Sequence, residues 1–217
     1  QVERTRQILN AVYRAIHDAQ TAVRFFKKDA ATTNTYKIDP NRIILIGQGS
    51  GAFISLAYNF LTEQSETALP KFLDGGGNSV IDTNLVGFTD GIGGSLNNFN
   101  HPGYTNQVQM VANFGGAMGD ISWMNNYWPA VPVASLHCRK DLYSPIDSGN
   151  VVVPATGEVV VFVHGSRTVV RKAVMQGLND IWLSNVFADP YSLRAYSLNP
   201  AATTEGLFQF EIPDIPS

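Results

Sequence analysis

The run Arg42-Ile43-Ile44-Leu45-Ile46-Gly47-Gln48-Gly49-Ser50-Gly51-Ala52 decides how this chain is read. Five residues that are apolar but for the first, with no polar alternation, fit a central parallel strand covered on both faces. The glycines then predict a tight turn, and Phe53 to Leu61 continues as a helix. Strand, glycine turn and helix in that order define a place where chemistry is often held.

Outward from this run the pattern continues. Upstream, Ile8, Leu9, Val12, Ile16, Ala19, Ala22, Val23 and Phe26 recur at threes and fours, which predicts an amphipathic helix from Arg4 to Lys28. Thr32 to Thr35 make a polar loop, and Asp39-Pro40 turns the chain into the strand. Downstream, residues 62–106 are rich in Gly and Asn and read as a long surface insertion. Val108 to Phe114, Pro132 to Leu136 and Glu158 to Val163 read as strands, and Thr168 to Leu178 as a helix. Trp123 to Trp128 form an aromatic connector. Residues 179–217 carry Pro190, Pro200, Pro213 and Pro216 and read as an irregular tail. The expectation is one α/β domain over 1–217 with a mostly parallel, doubly wound sheet.

Composition narrows the function. Of 217 residues, 15 are Lys or Arg and 18 Asp or Glu, a net charge of -3, so no basic patch offers itself to DNA or RNA. Charged residues are 15%, below the roughly 25% of an average chain. That low charge, with many Asn, Gly and Thr, suggests an exported bacterial protein. No stretch reaches the roughly 20 apolar residues of a membrane-spanning helix. The one cysteine, Cys138, forms no internal disulfide and no cysteine zinc cluster. Its neighbour His137 faces the other side of the same strand, so the two do not pair as thiol and base. The four histidines, His17, His101, His137 and His164, lack any metal-ligand spacing. No metal and no cofactor is expected.

The glycine turn admits three readings. As a nucleophile elbow, GxSxG, the frame is Gly47-Gln48-Gly49-Ser50-Gly51, and the nucleophile's position holds Gly49. Shifting the frame to make Ser50 the nucleophile places the bulkier Gln48 and Ala52 where small residues belong. As a dinucleotide loop, Gly47-x-Gly49-x-x-Ala52 satisfies GxGxxG/A, but no strand leads into Glu66 or Asp74, the acids available for a ribose. A P-loop is excluded because no Gly-Lys-Ser/Thr occurs. As plain packing, the glycines let helix and strand approach with no chemistry. Asp74, Asn78, Asp82 and Asp90 are oxygen ligands in type for Ca²⁺, without EF-hand spacing, and read as solvated loop residues. Trp123, Tyr127 and Trp128 read as core closure beneath the insertion, with a ligand cleft as the alternative.

With these residues in view, the chain resembles the α/β-hydrolase fold in its carboxylesterase-like branch. The resemblance runs from residue 8 to about 178. It rests on His17-Asp18-x-x-x-Ala22-Val23-Arg24-Phe25, Tyr36-Lys37-Ile38-Asp39-Pro40-Asn41-Arg42-Ile43, the elbow, Gly115-Gly116-Ala117, and Pro132-Val133-Ala134-Ser135-Leu136-His137 leading to Asp141. It is also similar to large exported Bacteroidota proteins with a Gly-Gln-Gly elbow. The resemblance implies a triad acid at Asp141, with Asp147 a poorer second. It implies a base that only His164 follows in order, and oxyanion donors at the Gly49 and Ser50 amides. It further implies four strands before the elbow that this sequence does not supply, and hence a partner chain or cleaved piece that completes the sheet.

Three functions follow as expectations. The first is a hydrolase-fold protein without its nucleophile, acting as a binding or structural component of an exported assembly. The second is a serine carboxylesterase or lipase-like hydrolase that uses Ser50, or whose native nucleophile stands replaced by Gly49. The third is a nucleotide-binding module.

Overall fold

The computed structural model describes residues 2–126, 130–153, 155–183, 187–199 and 205–211. Tyr127, Trp128, Pro200, Pro213 and Pro216 lie outside the described residues. The predicted amphipathic helix forms α1, Val2–Ala31. It buries Tyr13, Ile16 and Val23, together with the polar His17, Gln20 and Arg24. In its last turn, the Asp29 carboxylate accepts from Thr33 Oγ1 (2.7 Å), Thr35 N (3.2 Å) and Tyr36 N (3.1 Å), which folds the polar loop back onto the helix end. Those bonds hold its pKa below the usual carboxylate range, against the opposing effect of desolvation.

The decisive run becomes β1, Ile44–Gln48, followed by α2, Ser50–Phe60. A short helix α3, Thr83–Val86, and two 3-10 turns, Gln64–Ala68 and Pro70–Phe72, organise the insertion. Then come β2, Met110–Phe114, β3, Ala117–Met118, and β4, Val133–Cys138. A hairpin of β5, Ser148–Val152, and β6, Val159–Gly165, precedes α4, Ser166–Met175. The tail holds α5, Asp180–Leu183, α6, Pro190–Leu198, and β7, Leu207–Phe210.

Four strands form a parallel sheet in the order β1-β2-β4-β7, and β3-β6-β5 form a second, antiparallel sheet of three. Two expectations need correction. The strand read at Glu158 to Val163 belongs to the antiparallel sheet, because a connection as short as residues 153–158 can only return the chain antiparallel. The tail read as irregular contributes β7, paired with β4 from Ser135↔Leu207 to Cys138↔Phe210. Its α6 starts at an Asp189 cap, whose side chain accepts from Tyr191 N and Ser192 N.

The winding is also half of what a doubly wound sheet has. There the strand order reverses at a switch point, whereas here it runs one way. On the face that meets α2 and α4 the sheet buries Val111, Asn113, Val133, Ser135, His137, Leu207 and Gln209. On the opposite face Ile44 (50% exposed), Ile46 (61%), Phe114, Leu136 and Phe210 remain open. β1 is therefore an outer strand with one face bare, and the reading of it as covered on both sides fails.

Candidate functional site

The C-terminal ends of parallel strands are where α/β sheets gather loops and bind ligands. Here Gly49 follows β1, Gly115 follows β2 and Asp141 follows β4, all on the rim of one cleft of about 390 Å³. Its walls are Leu9 and Val12 of α1, Phe53 of α2, Trp123, and the valines of β5 and β6, so it is apolar but for Ser50, Asp141, Tyr143 and Ser144.

The elbow is built by two glycines with different tasks. A Cβ on Gly47 would lie 2.0 Å from the Gly51 carbonyl oxygen, so only glycine lets the strand pass under the helix it feeds. Gly49 caps α2 at φ 55°, ψ -121°, a left-handed backbone that side chains rarely adopt. A Cβ there would meet nothing within 4 Å. Packing thus explains Gly47, whereas Gly49 is favoured by its backbone conformation alone: the apex of the turn presents an open position beside the cleft with no side chain in it.

The oxyanion expectation is corrected by half. Gly49 N donates to the Phe114 carbonyl at 3.1 Å, because the β1–β2 ladder runs one residue beyond Gln48. The Ser50 amide, in the first turn of α2, has no intrahelical acceptor and stays available. The Ser50 side chain is exposed and lines the cleft.

Asp141 follows β4 at the rim of the cleft, with Oδ1 accepting from Tyr143 N (2.8 Å) and Ser144 N (2.9 Å). Asp147 instead pairs with Arg167 at 2.5 Å and does not line the cleft. His164 is not brought to the cleft. Val160 lines it near the start of β6, and from Val161 onward alternation keeps Val161 and Val163 on the cleft and turns Phe162 and His164 the other way. There His164 Nδ1 meets Ser148 Oγ at 3.0 Å. Among the described residues no histidine lines the cleft.

The sequence reading missed a buried polar network directly beneath this rim. His137 is fully buried, with Nε2 3.1 Å from the Ser144 carbonyl and Nδ1 2.6 Å from Ser166 Oγ. A carbonyl only accepts, so Nε2 carries the proton and Nδ1 accepts from the Ser166 hydroxyl. Asn113 Nδ2 donates to Ser166 Oγ (2.7 Å), and Asn113 Oδ1 accepts from Gly116 N (2.9 Å). The network ties β2, β4 and α4 to the loops that carry Gly115 and Asp141. Asp141 Oδ2 stands 3.8 Å from His137 Nε2, beyond hydrogen-bond reach, while Ser166 is wholly buried. The set resembles a Ser-His-Asp relay in composition only, since substrate has no path to it. Polar residues at alternate positions 113, 135 and 137 of otherwise apolar strands were the available signal.

Burial pushes the pKa of His137, and that of the buried His17, below the ordinary histidine value. Both are neutral in the folded chain yet protonate near the ordinary value once unfolded. The unfolded state then binds more protons as pH falls below about 6.5, so stability is full above that pH and declines below it. Urea midpoints measured from pH 8 to 5 are expected to stay level to about 6.5 and then drop. A midpoint that rises toward pH 5 contradicts the neutral assignment.

Other candidates resolve locally. The carboxylates of Asp74, Asp82 and Asp90 accept from Gly76 N, Asn84 N and Ile92 N of their own turns, and Asn78 N also donates to Asp74. Glu66 Oε2 accepts from Thr62 N and Glu63 N, and the chain after α2 enters 3-10 turns rather than a strand, so the ribose acid of a dinucleotide fold has no place. Trp123 is buried on Phe72, Nε1 donating to the Glu66 carbonyl at 3.1 Å, and also forms part of the cleft wall. Among the described residues no helix is long and apolar enough to cross a membrane. No family model, curated protein or solved structure matches the chain. What is established is an α/β protein with a four-stranded parallel sheet and a small antiparallel one.

Proposed function

We propose that this chain is an α/β-hydrolase-like protein that binds instead of hydrolysing, holding an apolar ligand with a carbonyl group in the cleft at the elbow, as a component of an exported assembly. The observation that carries the reading is Gly49: the turn keeps the strained backbone that presents a nucleophile, yet offers no atom to attack with. The valine and phenylalanine walls suit an acyl chain, and the free Ser50 amide suits a carbonyl oxygen. Asp141 on the rim disfavours a carboxylate, so a neutral ester or glyceride fits better than a fatty acid. The test is hydrolysis of p-nitrophenyl butyrate beside binding of 1-monopalmitin. Hydrolysis at the buffer rate is expected in both the natural chain and Ser50→Ala. Monopalmitin binding is expected to weaken about 10-fold or more in Phe53→Asp, which places a charge against the acyl chain. Hydrolysis that disappears with Ser50 would make the chain an esterase.

The assembly part of the reading rests on the bare sheet. Ile43 O accepts from Gln109 N of the β2 side, so by alternation the amides of Ile44, Ile46 and Gln48 face the open edge. The bare face spans about 300 Å² at strand spacings of ~4.8 Å and ~3.3 Å per residue. A stable interface needs about 800 Å² per partner, so two copies meeting face to face fall short. A polypeptide segment that adds a strand beside β1 and lays a helix over Ile46, Phe114 and Leu136 covers edge and face together. In the isolated chain the Ile44, Ile46 and Gln48 amides are expected to exchange hydrogen rapidly, and Ile46→Lys with Phe114→Lys to reduce light scattering. Slow exchange at all three amides in a monomeric sample contradicts the idea.

A further inference from the structure

Away from the elbow, α1 carries a polar stripe, Arg14, His17, Asp18, Thr21 and Arg24, facing the insertion segment Leu96 to Asn100 across a second cavity of about 240 Å³. Arg24 is 3% exposed. Its Nε donates to the Asn100 carbonyl (3.1 Å), its Nη2 to Thr21 Oγ1 (3.1 Å), and the guanidinium lies 4.5 Å from the Phe99 ring centroid. Among the described residues no carboxylate forms an ion pair with it and Nη1 finds no acceptor. The guanidinium therefore opens on the cavity through Nη1 with its charge unneutralised by a carboxylate, a position where an anion gains a charge-assisted hydrogen bond. Arg14, exposed on the same stripe, is likewise unpaired among the described residues.

The remaining wall is neutral or weakly opposed. His17 Nδ1 lies 2.7 Å from Asn97 Nδ2, a donor, so the ring accepts there, and burial keeps it uncharged. The charges facing the cavity are therefore two guanidiniums against the Asp18 carboxylate, with Asp90 acting on Arg24 from further off. The volume equals that of about eight waters, too large for a bare tetrahedral anion. Asn97 and Asn98 line the cavity, and a carboxamide is a group that bonds hydroxyls.

We infer that this cavity binds an acidic sugar, a monosaccharide-sized polyol whose carboxylate or phosphate sits on Arg24, with Arg14 adding positive charge at the same cavity wall, while Asn97, Asn98 and Asp18 take its hydroxyls. A guanidinium matches either anion with paired N–H donors, which a point charge does not. The site is independent of the elbow cleft and of the reading given to it.

Calorimetric titration of the intact protein with glucuronate, glucose 6-phosphate, glucose and inorganic phosphate tests this. Saturable single-site binding is expected for glucuronate or glucose 6-phosphate, and the tighter of the two identifies the anion. Glucose is expected to bind at least about tenfold more weakly, as is inorganic phosphate. Arg24→Gln and Arg14→Ala should each weaken binding about 10- to 100-fold. Arg14 is exposed, so its variant keeps the fold and preserves the test should Arg24→Gln unfold. Arg24→Lys, with the charge but without the fork, should recover only part of the affinity. The proposal is overturned if neither acidic sugar binds, if glucose or phosphate binds as tightly, or if the arginine variants bind like the natural chain.

Discussion

Gly47→Ala is expected to destabilise the chain by at least about 3 kcal/mol, whereas Gly49→Ala, two residues on, costs about 1–3 kcal/mol. The difference comes from what each new methyl meets. At 47 it falls 2.0 Å from a backbone oxygen, in a buried position where neither β1 nor α2 can retreat without breaking the ladder to β2. At 49 it enters open space, and only the φ of 55° is unfavourable. Urea midpoints of the two variants measure this directly. Equal midpoints would mean that strand and helix do not cross as closely as described, and the elbow itself would be in doubt. Gly49→Ser should fold like Gly49→Ala and remain inactive toward esters, because no described histidine reaches the cleft to take its proton.

The second large effect is expected at His137. His137→Phe keeps the ring's shape but removes both nitrogens, leaving the Ser144 carbonyl without its donor, while the Ser166 hydroxyl exchanges a 2.6 Å bond for the longer 3.3 Å one to the Gly116 carbonyl. One orphaned buried carbonyl at about 1–3 kcal/mol and one weakened hydroxyl bond at about 0.5–1 kcal/mol predict a loss of about 2–3 kcal/mol. Ser166→Ala alone should cost less. The double variant should show a coupling of about 0.5–3 kcal/mol, since both members act on one bond. Additive losses would mean that the 2.6 Å contact contributes nothing of its own.

How far the sequence could be read differed by element. Helix α1, strand β1 and the elbow were legible because each carries its own local pattern: apolar residues at threes and fours, a continuous apolar run, and glycines at the turn. Strand β7 was not, since Leu207-Phe208-Gln209-Phe210 is too short to show a period and its buried Gln209 reads as polar. The placement of β6 outside the parallel sheet depends on strand partners, which no local pattern encodes. At the site, Gly49, Ser50 and Asp141 were found by their order along the chain. His164 was named by order too, but a single step of strand alternation takes it out of the cleft. The buried stripe of α1 was hidden for the opposite reason. Its apolar spacing is plain, while the burial of Arg24 and His17, polar residues interleaved with that spacing, depends on the insertion that covers them and has no local pattern.

The most direct test of the binding role is covalent. The intact protein, together with whatever copurifies with it, is treated with an alkyl fluorophosphonate, which phosphonylates activated serines, and its mass is measured. With glycine at the apex of the elbow and no histidine beside Ser50 among the described residues, an unchanged mass is the expected result. Addition of one phosphonyl group at Ser50, abolished by Ser50→Ala, would show an activated nucleophile and contradict the binding role.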